Sequence, residues 1–176
     1  MKENCILCQI IEDNIPSKKI YEDEEVLAVL DVNGASPGHC FVLPKQHFPI
    51  LEQVPDKIVA KLFSIANKIS VAIFETLSVQ GTNIFVTNGI SAGQRIAHFM
   101  INVVPRQEND GIKLDWQPKQ LDEEEISTVE LKLKEQTDNV GIESSSESTT
   151  IKAEKSETLS DDDEEDYMLK QLKRIP

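Results

Sequence analysis

The stretch AHFMINVV, residues 97–104, alternates apolar residues with residues that are polar or chemically distinctive. Successive side chains of a β-strand point to opposite faces of the sheet, so a strand here presents two different surfaces. One surface consists of Ala97, Phe99, Ile101 and Val103, and the other consists of His98, Met100 and Asn102. The sequence therefore predicts a strand with one face in the core and a second face that carries any chemistry.

Three further stretches, rich in branched or aromatic residues, also predict strands: residues 26–32 (VLAVLDV), 39–43 (HCFVL) and 83–87 (NIFVT). From residue 49 to residue 77 the apolar residues recur at spacings of three and four, and Pro55 followed by Asp56 suits a first helical turn. This pattern predicts one long amphipathic helix. Strands around a single helix indicate an α+β domain.

The 176-residue chain has a formal net charge of −13, and most of the excess lies near its end, because residues 121–176 hold 17 acids and 7 bases. Nucleic-acid binding depends on clustered Lys and Arg, so we do not expect a nucleic-acid ligand. No apolar run approaches the roughly 18 residues that a membrane span needs, and no leader pattern is present. These features predict a cytoplasmic protein that does not contact a membrane.

Composition also predicts two regions, a folded domain over residues 1–120 and an acidic tail over residues 121–176. Residues 121–136 favour a further helix, whereas residues 137–160, rich in Ser, Thr and Glu, are typical of disorder. The closing segment YMLKQLKRIP, residues 167–176, fits one or two basic and apolar helical turns. These turns either fray or dock on this domain or on a protein partner.

Two long stretches, CILCQIIEDNIPSKKIYEDEEVLAVLDVNGASPGHCFVLPKQH (5–47) and NGISAGQRIAHFMINVVPR (88–106), resemble the histidine triad, or HIT, family of nucleotide hydrolases and transferases. The resemblance implies an antiparallel sheet with one long helix and a homodimer whose two sheets join. In that family the middle histidine of the triad attacks the α-phosphate of a nucleotide. The three triad positions here are His98, Met100 and Asn102.

This substitution removes the family's nucleophile. An imidazole nitrogen has a basic lone pair that can form a phosphoramidate, whereas the thioether of Met100 is far less basic and carries no proton. Asn102 can form hydrogen bonds but does not titrate near neutral pH. Two interpretations stay open: the pocket has degenerated, or it has been remodelled for another ligand or reaction.

The resemblance also implies a ligand site around Met100. Its further members are Asp31 at the ribose hydroxyls and Asn88, Gly93 and Gln94 in the phosphate-side loop. Arg95 stands where family members commonly have a small hydroxyl residue, so its added charge either holds an anion or belongs to the solvated surface. His39 is either a hydrogen-bonded structural histidine or the remaining imidazole for acid–base work, and in the second case it forms the candidate catalytic pair with Asn102. Cys40 is expected to face the opposite side of its strand as an inert buried thiol.

The close pair Cys5 and Cys8 indicates a metal site, although two cysteines on a turn or short helix give the same pattern. A structural zinc ion needs four thiolate or imidazole ligands, and the chain offers His39, His47 and His98 as further donors. The resemblance to metal-bearing HIT proteins selects His47 and His98. It implies one structural Zn²⁺ bound by Cys5, Cys8, His47 and His98.

Three functions are compatible with these features. The first is a zinc-containing HIT-like module that binds a nucleotide-like or other anionic small molecule without nucleotidyl transfer. The second is a hydrolase of a non-nucleotide substrate, for example a folate one-carbon derivative, acting by direct attack of water. The third is an interaction protein that recruits a partner through its tail.

Overall fold

The computed structural model describes residues 4–137. Its elements run in the order α1 (Ile6–Ile11), β1 (Lys19–Glu22), β2 (Val26–Leu30), β3 (Cys40–Pro44), α2 (Asp56–Leu77), β4 (Gly81–Phe85), β5 (Ile101–Arg106) and α3 (Glu123–Thr137). Short 3-10 turns lie at Leu51–Gln53 and Ile90–Ala92. The expected disordered segment beyond residue 137 and the terminal helical turns lie outside the described residues.

The five strands form one antiparallel sheet in the order β1-β2-β3-β5-β4. The central strand β3 pairs with β2 over five residues, and its Phe41 lies opposite Asn102 of β5. Asn102 also lies opposite Phe85 of β4, so it occupies the middle of three strands. This arrangement confirms the predicted α+β class and the antiparallel sheet with one long helix.

Each face of the sheet has its own apolar cluster. The larger cluster includes Phe99, Ile101 and Val103, which pack with the buried side of α2, including Leu62 and Ala66. The smaller cluster joins Met100 to residues of α1 and to the opposite face of β2 and β3. The alternation predicted for residues 97–104 therefore separates two surfaces from Phe99 onward, whereas Ala97, predicted to lie in the core, is exposed.

Strand β5, which carries this alternation, begins later than predicted. The prediction that residues 97–104 are all strand is wrong at its beginning, because β5 starts at Ile101 and bends occupy residues 96–98. The amide of His98 donates to the carbonyl of Ile96 at 2.8 Å, and the amide of Phe99 donates to the carbonyl of Phe48 at 2.6 Å. These bonds replace ladder pairing, which leaves His98 and Met100 in the irregular segment just before the strand.

Other boundaries also differ from the sequence-based expectation. Helix α2 begins at Asp56 after Pro55, so the part of the predicted helix before it is extended chain and a 3-10 turn. Strand β1 and helix α1 were not predicted as elements. Strand β1 is a short edge strand with little burial, so it carries no strong apolar pattern.

The described residues divide into two units, one ending at Trp116 and the other beginning at Gln117. In the second unit, residues Glu123–Thr137 form α3, which has three acids in its first turn and no buried residue. Among residues 4–137, no helix combines the length and apolar character needed to cross a bilayer. The predicted division at residue 120 and the predicted tail stay predictions.

Candidate metal centre and ligand pocket

Four thiol and imidazole side chains converge at one end of the sheet. Cys5 precedes α1 and Cys8 lies within its first turns, so their spacing places both sulfur atoms on the same side of the helix. His47 follows β3, and His98 precedes β5. Their ligand atoms all lie within 4.8 Å of one another. The structure therefore brings together the four residues that the sequence nominated as metal ligands.

The distances fit a tetrahedral ion. With Zn–S near 2.3 Å and Zn–N near 2.0 Å, neighbouring sulfur and nitrogen ligands of a tetrahedral site lie about 3.5 Å apart. Nδ1 of His98 lies 3.5 Å from Sγ of Cys5 and 3.6 Å from Sγ of Cys8, and Nδ1 of His47 lies 3.2 Å from Sγ of Cys8. The donor set and its spacing suit Zn²⁺.

A backbone carbonyl fixes which nitrogen of His98 faces the thiols. Nε2 of His98 lies 2.9 Å from the carbonyl oxygen of Pro44, and because a carbonyl only accepts, Nε2 carries the proton. The lone pair is then on Nδ1, which points at Cys5 and Cys8. Burial lowers the pKa of His98, which keeps the ring neutral, as metal ligation requires.

Met100, the residue predicted to stand at the nucleophile position of the HIT family, is packed as a core residue. It is 9% exposed and contacts the apolar cluster formed by α1, β2 and β3. Partly buried side chains complete this environment: Ile10, Ile11, Phe41 and Ile96. A flexible thioether fills such irregular apolar space well and offers a phosphate no basic nitrogen.

The predicted catalytic residues His39 and Asn102 lie side by side. Nε2 of His39 is 3.3 Å from Oδ1 of Asn102, and both residues are buried. Nδ1 of His39 accepts a hydrogen bond from the amide of Ala35 at 3.0 Å, so the proton lies on Nε2 and is donated to Asn102. Both ring nitrogens are therefore engaged, and the catalytic role of this pair stays a prediction.

Asp31 lies beside His39 at the end of β2. Its Oδ1 accepts the amide of Asn33 at 2.8 Å, and its Oδ2 lies 3.7 Å from Nδ1 of His39. Because that Nδ1 already accepts the Ala35 amide, this approach is not an ion pair. A groove of about 380 Å³ runs along residues 30–39, including Asp31 and His39. This groove is open to solvent and could admit a polar ligand.

The loop predicted to lie on the phosphate side, residues 88–95, is held by its own side chains. Asn88 accepts the amide of Leu51 at 2.9 Å and donates to Oε1 of Glu52 at 2.8 Å. Gln94 accepts the amide of Gly89 and donates to the carbonyls of Pro49 and Ile96. These two side chains brace the loop, and their predicted ligand contacts stay predictions.

Gly93 and Arg95 have different roles in the loop: one is set by backbone conformation and the other by charge. Gly93 has a φ of +89°, a left-handed conformation that favours glycine, and its position ends the 3-10 turn of the loop. Arg95 is exposed, and it makes no ion pair within the described part of the chain. Its charge is therefore available to an anion at the loop.

Three residues that shape the site were not nominated from the sequence. Pro44 supplies the carbonyl that orients His98, the amide of Ala35 sets the tautomer of His39, and Glu52 receives Asn88. Two of these contacts use backbone atoms, which every residue type carries, so no sequence signal could have identified them. Cys40 behaves as expected, because it is fully buried on the α2 side and burial raises the pKa of its thiol to about 12.

The chain has many relatives. It is 37% identical over 132 residues to adenylylsulfatase HINT3 from Arabidopsis thaliana, which covers 69% of this chain and 67% of that protein. The crystal structure of a HIT family member from Bacillus subtilis superposes with a TM-score of 0.71 at 33% identity, over 75% of this chain and 96% of the other. A Zn-bound histidine triad family protein from Mycobacterium smegmatis superposes with a TM-score of 0.61 at 31% identity, over 80% of this chain and all of the other.

The family assignment rests on a match that includes the whole sheet. The model of the HIT domain matches residues 12–109, which is more than half of the 176 residues and spans all five strands. The segments that hold His39, His47, Met100 and Asn102 all fall within this match. The chain belongs to the HIT family.

Proposed function

We propose that this protein is a zinc-stabilised HIT protein that binds a nucleotide-like anion without forming a covalent nucleotidyl intermediate. The observation that carries the proposal is the packing of Met100 among apolar side chains at the nucleophile position. An enzyme of the usual HIT type needs a basic nitrogen there, and no rotamer of methionine supplies one.

Zinc in this proposal has a structural role. All four metal-binding positions hold thiol or imidazole side chains, and a complete set leaves no open position for substrate. The Zn-bound relative from Mycobacterium smegmatis supports the choice of metal. The bound ion would join α1 to the segments after β3 and before β5, and so would hold in place the segment that carries Met100.

The nature of the ligand is inferred from the pocket and from the relatives. The Arabidopsis relative is named as an adenylylsulfatase, so its substrate is an adenylyl compound. In this chain Asp31 lies on an open groove. Arg95 lies in the loop expected on the phosphate side, and among the described residues its guanidinium forms no ion pair. We therefore infer a nucleoside monophosphate or a similar anion as ligand.

The hydrolase alternative is less well supported by the geometry. A general base needs a free lone pair within hydrogen-bond reach of water. The lone pair of His39 is at Nδ1 and accepts the Ala35 amide, while Nε2–H donates to Asn102. Water activation would require one of these buried hydrogen bonds to break first.

A homodimer is the assembly that the exposed surfaces favour. On α2, Phe63 and Phe74 are 43% and 55% exposed and lie about three helical turns apart, hence on one side. Ser70 of α2 is hydrogen-bonded to Thr82 of β4, so this side adjoins the edge strand that also exposes Ile84. If the β4 strands of two copies paired, they would form one continuous sheet and would cover the exposed stripe formed by Phe63, Phe74 and Ile84.

The test compares binding with covalent transfer. We expect AMP to stabilise the purified protein against heat and mass spectrometry to find no nucleotidyl adduct after incubation with adenylyl sulfate. Met100→His is the diagnostic variant, because it restores an imidazole at the nucleophile position while Asn102 still pairs with His39. We expect it to remain inactive. Rapid turnover by Met100→His would mean that the pocket is an ordinary HIT site with one lesion, and failure of AMP and GMP to bind would contradict the proposed ligand class.

A further inference from the structure

The carboxamide of Gln94 has no spare proton for a ligand. Its Nε2 donates to the carbonyl of Pro49 at 2.6 Å and to the carbonyl of Ile96 at 2.9 Å, and a carboxamide nitrogen has only two protons. Its Oε1 accepts the amide of Gly89 at 2.8 Å, which closes the loop on itself. One side chain thus connects three backbone segments.

Two of those segments carry the candidate metal ligands. Pro49 lies two residues after His47, and Ile96 lies two residues before His98. The segments are also joined directly, because the amide of Phe99 donates to the carbonyl of Phe48 at 2.6 Å. Gln94 therefore bridges the two histidine-bearing segments at the base of the loop.

Asn88 forms a second set of hydrogen bonds at the other end of the loop. Its Oδ1 accepts the amide of Leu51, and its Nδ2 donates to the carboxylate of Glu52, whose pKa this hydrogen bond lowers. Leu51 and Glu52 lie in the 3-10 turn that follows the His47 segment. Both ends of the loop are thus attached to the chain that leads away from one metal-binding histidine.

We propose that Gln94 and Asn88 are positioning residues that couple metal occupancy at Cys5, Cys8, His47 and His98 to the order of loop 88–95. The metal holds the two histidine segments together, and the loop is ordered because its side chains are anchored to both. The consequence for ligand affinity rests on the proposed function, but the coupling between metal and loop does not. Coupling between two sites is reciprocal, so an intact loop must also retain the metal more tightly.

The first experiment measures hydrogen exchange of the full chain with and without metal, in the absence of any ligand. Removing the metal from the wild type with a chelator should speed exchange in residues 88–96 by about tenfold or more. Gln94→Glu keeps the acceptor but loses both donated bonds, so its loop should exchange fast in both states. Unchanged exchange in the wild-type loop after metal removal would overturn the coupling.

The second experiment does not require a folded metal-free protein. Weaker binding usually appears as faster dissociation, so release of zinc from the purified, metal-loaded chain to a chromophoric chelator should be about fivefold faster for Gln94→Glu than for the wild type. The matched control is Gln80→Glu, which retains the acceptor for the amide of Glu108, a residue outside both the loop and the two histidine segments. If Gln94→Glu releases zinc at the wild-type rate, the proposal is wrong.

A rescue separates positioning from general damage. Asn88→Asp places a carboxylate against Glu52 and should speed zinc release, whereas the double variant Asn88→Asp with Glu52→Gln reverses donor and acceptor and should restore the wild-type rate. If the double variant releases zinc as fast as Asn88→Asp alone, the hydrogen bond between residues 88 and 52 does not control zinc release. Because no nucleotide is used, a failed AMP titration leaves this result intact.

Discussion

Nε2 of His98 donates a hydrogen bond to the carbonyl oxygen of Pro44 at 2.9 Å. This bond assigns the first triad position to the metal cluster, because it turns the lone pair of Nδ1 toward Cys5 and Cys8. The histidine that resembles the survivor of a catalytic triad is therefore placed beside the two thiols of the candidate metal site. The second triad position is packed and the third is hydrogen-bonded to His39.

Replacing a metal-site cysteine should remove the metal and a large part of the stability. Cys8→Ser is expected to reduce zinc from about one ion per chain to almost none and to lower the free energy of unfolding by roughly 3 kcal/mol or more. The control is Cys40→Ala, which removes a buried thiol that lies outside the cluster. It should cost about 1 kcal/mol and leave the zinc content unchanged. Metal analysis and denaturant unfolding measure both, and full zinc content in Cys8→Ser would contradict the site.

Gly34 is required by its close approach to His39. A Cβ at residue 34 would lie 2.7 Å from Cβ of His39, so Gly34→Ala must displace the imidazole or its own turn. We expect a loss of about 1–3 kcal/mol in stability and a changed environment of the His39 ring in NMR spectra. Gly81→Ala is the control, because its added Cβ meets nothing within 4 Å in the protomer. Equal stability of the two variants would rule out this explanation.

The pair formed by Arg106 and Asp110 gives the protein an acid-sensitive contact. Arg106 donates from Nε to one carboxylate oxygen of Asp110 at 2.6 Å and from a terminal nitrogen to the other at 3.0 Å. Hydrogen bonds from Arg106 and from the amide of Ile112 hold the pKa of Asp110 below its ordinary value of 3.8. The contribution of the folded carboxylate is therefore present above that value and lost as the pH falls below it.

Asp110→Asn tests this pH dependence. The wild type should have a higher melting temperature than the variant between pH 5 and pH 7 (a window of about one unit or more above the ordinary carboxyl pKa), and the difference should shrink as the pH is lowered through 3.8. A difference that stays constant down to about pH 3 would mean that Asp110 stabilises the fold through neutral contacts.

A charge on the exposed stripe of α2 should separate the proposed dimer. Phe74→Glu is expected to halve the mass measured by light scattering and to leave the fold intact, because Phe74 is 55% exposed in the protomer. Ile20→Glu on the opposite edge strand β1, where Ile20 is 44% exposed, is the control and should remain dimeric. If the wild type already has the monomer mass, the dimer proposal fails.

Much of the fold follows from local pattern. The alternation around Ile101 and the three-and-four spacing in α2 both report burial on one side, and burial is what a repeated apolar pattern encodes. Boundaries were less well predicted. The segment from Ala97 to Met100 has the same alternation as a strand, but two of its amides donate to the carbonyls of Phe48 and Ile96 and not to a neighbouring strand. Phe48 is distant in sequence and Ile96 accepts through a local bend, so the apolar pattern does not reveal either partner.

The sequence by itself determined the chemistry that is missing and the donors that are present: Met100 has no basic nitrogen, and Cys5 and Cys8 have metal-site spacing. Only the tertiary structure decided how these groups are used. It placed His98 at the thiols with Pro44 fixing its tautomer, engaged both nitrogens of His39, and committed Gln94 to three backbone partners. The physical reason is that residue type sets what a side chain can donate or accept, whereas its partner depends on the conformation of nearby turns and on packing between segments far apart in the sequence.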